Sequence, residues 1–205
     1  MSREKIVTLI TEELWTENSR ILKSLEELQE DLLWIDADSL FPTQTFIIDR
    51  FPKALRYPTS DALDIFYDDC KSKESLLEKY SKIEGQYLEI IQKLWGLSEI
   101  SIHSNIIDHL DILKAQFHEE KNCIDKFVEK TINSQGQLLK LDNYDDIEFI
   151  AKLSLKEKVT SCLVINKLKM VVWINGLALK ILLIDQSSKQ LLNLICTTHG
   201  LYLRK

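Results

Sequence analysis

Glycine and proline are scarce, with 5 Gly and 3 Pro in 205 residues. Tight turns and close backbone approaches rely on these two residues. Their scarcity argues against a β-sandwich, a barrel or a loop-rich enzyme, and it excludes collagen-like and low-complexity classes. No phosphate-cradling GxxxxGKS/T, no GxGxxG and no GxSxG occurs, so nucleotide binding and elbow-type serine chemistry have no sequence support. No CxxC pair, HExxH motif, zinc-finger spacing or RNA-binding signature is present. No apolar leader run opens the chain, so cytosol or nucleus is the expected location. The four cysteines, Cys70, Cys123, Cys162 and Cys196, are widely spaced. They read as small buried hydrophobes in a reducing compartment.

What is abundant is charge and aliphatic side chains, at 28% and 45% of the chain for the charged and hydrophobic classes. The net charge of −6 hides a division. Residues 1–150 hold 17 Lys and Arg against 30 Asp and Glu, whereas 151–205 hold nine cations against Glu157 and Asp185. An acidic body with a basic tail points to pairing within the chain or to a charged partner.

The apolar spacing suggests helices. Val7, Thr11, Leu14, Asn18, Ile21, Leu25, Leu28, Leu32 and Ile35 step by fours and threes, the period of a coiled-coil seam. The same rule recurs through Leu76, Tyr80, Ile83, Tyr87, Ile90 and Leu94, with Thr59-Ser60-Asp61 as the cap and Gly96 as the stop. It recurs again through Ile106, Leu110, Leu113 and Phe117, on to Ile124 and Phe127. All three prolines fall in 36–60, which reads as an apolar connector. A fourth helix is expected from Asp145-Asp146, and a short one over 188–198. The expected fold is therefore all-α: an elongated helical bundle or coiled coil of about four long helices plus a short C-terminal helix. Residues 1–141 form its seams, and 142–205 form a basic, strongly apolar helical segment.

Between Val159 and Ile184, 18 of 26 residues are apolar. Lys167, Lys169 and Lys180 disfavour a membrane span there. A helix apolar around most of its circumference must be surrounded by others. Asn175-Gly176 between apolar runs is also a hairpin signal, so the stretch 163–184 stays open between helix and hairpin.

Chemistry finds little footing. His103, His109, His118 and His199 form no ligand set. Adjacent acids such as Glu12-Glu13, Glu26-Glu27 and Glu119-Glu120 point apart on a helix. No catalytic, cofactor or metal role is expected. The expected function is a non-enzymatic scaffold subunit of a multiprotein assembly, with other helical proteins as partners and no direct nucleic-acid contact. Leu14, Asn18, Ile21, Leu25 and Leu28 on the first seam are the expected partner-binding residues, with Leu163, Met170, Trp173, Leu177 and Ile181 on the last segment. In type it resembles small helical subunits of kinetochore, motor-adaptor and tethering complexes. The alternative is a membrane-associated protein that uses 159–184 as its contact.

Overall fold

The computed structural model describes residues 2–16, 19–55, 63–134 and 137–205. Its centre is a seven-stranded antiparallel sheet. The strands are β1 (Thr45–Asp49), β2 (Ile100–Ser104), β3 (Leu139–Leu141), β4 (Ser161–Ile165), β5 (Met170–Ile174), β6 (Leu179–Leu183) and β7 (Tyr202–Arg204). They lie in the order β3-β2-β4-β5-β6-β1-β7. This overturns the all-α bundle, its elongated form and its coiled-coil seams. The expected boundary at 141/142 falls just after β3, and strands from both sides of it belong to one sheet.

The stretch expected as an apolar helix is a meander of three strands, β4 to β6. Every residue of β4 and β5 is buried. Ile102, Leu163, Val172 and Ile181 align across the strands and pack into one core with Tyr87, Ile90, Ile147 and Ile150. On the opposite face, Cys162, Val164, Val171, Trp173 and Leu182 pack against Ile6, Ile10, Leu14, Ile21 and Leu25. With both faces covered, a strand has no reason to alternate apolar with polar. The hairpin reading of Asn175-Gly176 matches the β5–β6 connection, which spans four residues, with Ile174 opposite Leu179. Gly176 sits at φ +82°, and a Cβ there would lie 2.6 Å from Glu157 Oε1.

Helices cover both faces. One layer contains α1 (Ser2–Thr11), α2 (Ile21–Glu26), a 3-10 turn at Leu32–Trp34 and α3 (Ala37–Leu40). The other layer contains α4 (Tyr67–Cys70), α5 (Glu74–Leu97), α6 (Leu110–Gln116), α7 (Lys121–Asn133), α8 (Tyr144–Leu155) and α9 (Lys189–Thr198). α5 follows its stripe, burying Tyr80, Tyr87, Ile90, Ile91 and Leu94. It runs past Gly96 to Leu97, and the expected Thr59-Ser60-Asp61 cap lies outside the described residues. At the start of α8, Asn143 Oδ1 accepts the Asp146 amide at 2.9 Å.

The first seam breaks into pieces for an identifiable reason. Gln29 takes φ +60°, and the Glu30 amide donates to Leu25 O at 2.9 Å, closing a Schellman turn at the end of α2. The third seam breaks between α6 and α7. Among the described residues, no helix is long and apolar enough to cross a membrane. Residues 159–184, the expected membrane contact, form the middle of the sheet.

Candidate functional site

Side chains of the sheet fasten the first layer to it, among them the Thr45 hydroxyl of β1, which donates to Ala37 O at 3.0 Å. His103, Cys162, Trp173, Lys180 and Ile47 lie side by side across β2, β4, β5, β6 and β1. His103 Nε2 meets Asp31 Oδ1 at 3.1 Å, Trp173 Nε1 donates to Leu32 O at 2.8 Å, and Lys180 Nζ meets Asp38 Oδ2 at 2.5 Å. The segment from Asp31 to Asp38 is thus clamped across three strands. It holds α1 and α2 in a fixed relation above them.

Between α1 and α2 lies an open groove of about 460 Å³. Leu9 and Leu28 supply its apolar surface, with Thr8 and Ser24 between them. Glu4, Glu13 and Glu27 stand on its rim with Lys5. The surrounding layer is acidic in a particular way. Asp31 and Asp36 accept backbone amides at Leu33 and Ser39, and Asp31 and Asp38 also reach into the sheet. Glu4, Glu12, Glu13, Glu26, Glu27 and Glu30 are all exposed, and none forms an ion pair among the described residues. The cations left over here are Lys5, Arg20 and Lys23, since Arg3 donates to Ser39. Among the described residues, six free carboxylates against three free cations give this face a negative field over an apolar floor.

A second cleft, of about 370 Å³, runs beside the His103–Asp31 pair, with Ile107, Ile132 and Leu22 at its mouth. Its hydroxyls are engaged: Thr131 Oγ donates to Phe127 O at 2.9 Å, and Ser134 Oγ to Thr131 O at 2.7 Å. Asp31 both accepts the Leu33 amide and meets the imidazole, so the pair holds the layer to the sheet. A third, polar cleft lies at the β5–β6 turn. There Arg204 Nε donates to Asp49 Oδ2 at 3.2 Å and ties the edge strand β7 to β1.

One buried acid is out of balance. Glu84 on α5 is 8% exposed, and its Oε1 has no hydrogen-bond partner among the described residues. Burial pushes its carboxyl above the usual range, opposed by Lys156 and Lys152. The Lys156 ammonium lies 4.9 Å from the Tyr67 ring centre and 5.9 Å from that of Phe117. A raised carboxyl favours the fold in its neutral form. Its contribution is full below the pKa of the unfolded chain and is lost as pH rises through the folded value. Glu84→Gln should therefore stabilise the chain by about 1–3 kcal/mol at pH 8 and by almost nothing at pH 4. Paired urea titrations at the two pH values check this, and an equal gain at both would refute it.

The partner-binding residues expected from sequence divide sharply. Leu14, Ile21, Leu25, Leu163, Met170, Trp173 and Ile181 are core residues, exposed by 6% at most. Asn18 lies outside the described residues. Leu177 is half-buried in the β5–β6 turn, and Leu28 is half-buried at the groove. Of the first-seam residues expected to bind a partner, Leu28 alone among the described ones is not part of the core. The rim glutamates carried no sequence signal beyond the acidity of the whole body. Among the described residues, no three His, Cys, Asp or Glu side chains converge as metal ligands. Desolvation pushes up two buried thiols, Cys196 to about 12 and Cys162 well above its ordinary value.

The chain matches no protein-family model, no curated protein and no solved structure. The likeness in type to kinetochore and motor-adaptor subunits rested on coiled-coil seams. With the mixed fold, that likeness lapses.

Proposed function

We propose that this chain is a non-catalytic, protein-binding subunit of an assembly, and that its partner docks on the layer formed by residues 2–41. The observation that supports this is the open groove between α1 and α2, with an apolar floor and a rim of unpaired carboxylates. Concave apolar surface within a polar rim is the usual anatomy of a recognition site. The interface differs from the one the sequence suggested, because the C-terminal segment is spent inside the sheet. The compartment that accompanies this reading is cytosol or nucleus, where free thiols such as the exposed Cys123 persist.

A photo-crosslinking residue at position 24 or 28 tests the proposal, with position 126 on α7 as the control. In intact cells, positions 24 and 28 should give one discrete crosslinked species that position 126 does not. Leu28→Arg should reduce the yield at position 24 about tenfold, a loss of roughly 1.4 kcal/mol of binding. Its circular dichroism should be unchanged. Equal crosslinking at all three positions, or full yield in Leu28→Arg, rejects the docking site.

A further inference from the structure

Resting on that reading, we infer that the segment seated in the α1–α2 groove is a basic amphipathic α-helix of the partner. The groove lies between two helices rather than along an open strand, so an extended peptide would find no ladder of backbone groups to pair with. Peptides bound without such a ladder commonly present an apolar helical face, read through anchors at i, i+3, i+4 and i+7. The groove offers Leu9 and Leu28 to such a face. α1 has ten residues, which at 1.5 Å per residue makes a track of about 15 Å. Three turns of a bound helix would lie along it.

Charge selects among such helices. Glu4, Glu13 and Glu27 on the rim are exposed and have no cationic partner among the described residues, and Glu12, Glu26 and Glu30 extend the same field. Carboxylates already paired in the fold would have little left to offer. These six remain available, and lysine or arginine on the flanks of an apolar stripe would meet them. Complementary fields of this kind steer encounter and reject like-charged competitors. An acidic amphipathic helix with the same leucines would be repelled. Two cations of the basic segment are already spent within the fold, Lys180 on Asp38 and Lys158 on Asp68.

The test uses the full chain and three fluorescein-labelled peptides of about 14 residues, roughly four helical turns. One carries leucines at helical spacing with flanking lysines. The second replaces every lysine by glutamate. The third has the composition of the first with the leucine spacing scrambled. Binding is followed by anisotropy in low and in physiological salt. The lysine peptide should bind at least tenfold more tightly than either of the others. Leu28→Arg should remove most of that binding, and the double variant E13K/E27K should shift preference toward the glutamate peptide. Two circular dichroism spectra and two urea transitions, one pair for each variant, confirm that both remain folded.

Equal binding of the scrambled peptide would mean charge alone acts, and the helix assignment falls. Equal binding of the glutamate peptide would mean the rim does not select, and the basic assignment falls. In either case, crosslinking at positions 24 and 28 can still succeed, leaving the protein-binding reading intact. If crosslinking fails as well, both fall together. Concentration-dependent self-association that Leu28→Arg abolishes would assign the groove to a second copy of this chain and overturn the inference.

Discussion

Leu163→Glu should abolish folding of the whole chain. Leu163 is the central residue of β4, fully buried, with Ile102 and Val172 beside it on the same face of the sheet. Truncating a buried leucine costs about 2–5 kcal/mol. A carboxylate set in its place, with no partner, costs several kcal/mol more. Together these approach the entire stability of an ordinary domain, about 5–15 kcal/mol. The expected result is an insoluble product, or a soluble one with no cooperative urea transition and no native amide dispersion. Leu177→Glu is the control. Leu177 lies half-buried in the β5–β6 turn, where a carboxylate can reach water, so a folded protein weaker by about 1 kcal/mol is expected. A cooperative transition retained in Leu163→Glu would contradict the buried sheet centre. The two leucines had looked equivalent as one apolar interface, and the sheet separates them.

That separation shows what could be read from the chain and what could not. Helical periodicity marked Tyr80 to Leu94 on α5, because that helix has one wet face and one dry face. The Asn143 cap, the Asp185 turn before α9 and the left-handed Gly200 behind it also follow ordinary local chemistry. β4 and β5 left no period to detect. An alternating strand announces itself only when one face meets water, and here both faces meet helices. Their unbroken apolar run was therefore indistinguishable from a buried helix, except for its β-branched residues and the Asn175-Gly176 dipeptide.

The scarcity of glycine misled for a separate reason. Few glycines predict few reversals, but three of the described residues with side chains take up the left-handed conformation: Gln29, Glu157 and Lys169. Gln29 and Glu157 close Schellman turns, with Glu30 N donating to Leu25 O and Lys158 N to Leu153 O. Each such residue costs about 1–2 kcal/mol in strain. The burial achieved by folding the chain back offsets it. The first seam also had its inward residues right, since Leu14, Ile21, Leu25, Leu32 and Ile35 are all buried. They face this chain's own sheet instead of another helix. Leu28 lies two positions beyond α2, next to the Gln29 reversal, which leaves it on the accessible side and makes it part of the groove.

The groove exists only while its layer stays seated, and Trp173 is the main fastening. Its indole is 6% exposed and lies among the buried residues between β5 and the first layer. Trp173→Ala removes the largest side chain at that interface, at a cost of about 3–5 kcal/mol. It also leaves the Leu32 carbonyl without its 2.8 Å donor. For a chain of this size, such a loss lowers the melting temperature by about 10 °C. Trp173→Phe keeps most of the ring and drops only the hydrogen bond, so about 1 kcal/mol is expected. Among the other links to the layer, His103–Asp31 and Lys180–Asp38 involve partly exposed side chains and contribute little by themselves, and the buried Thr45 hydroxyl donates to the Ala37 carbonyl at 3.0 Å. In Trp173→Ala, then, amides of α1 and α2 should exchange with solvent well before those of β4 and β5. Binding of the lysine peptide should weaken at temperatures where the sheet is still protected. Simultaneous exchange of layer and sheet would show that they unfold as one unit, and a stability loss under 1 kcal/mol would show that the indole is not what holds the layer down.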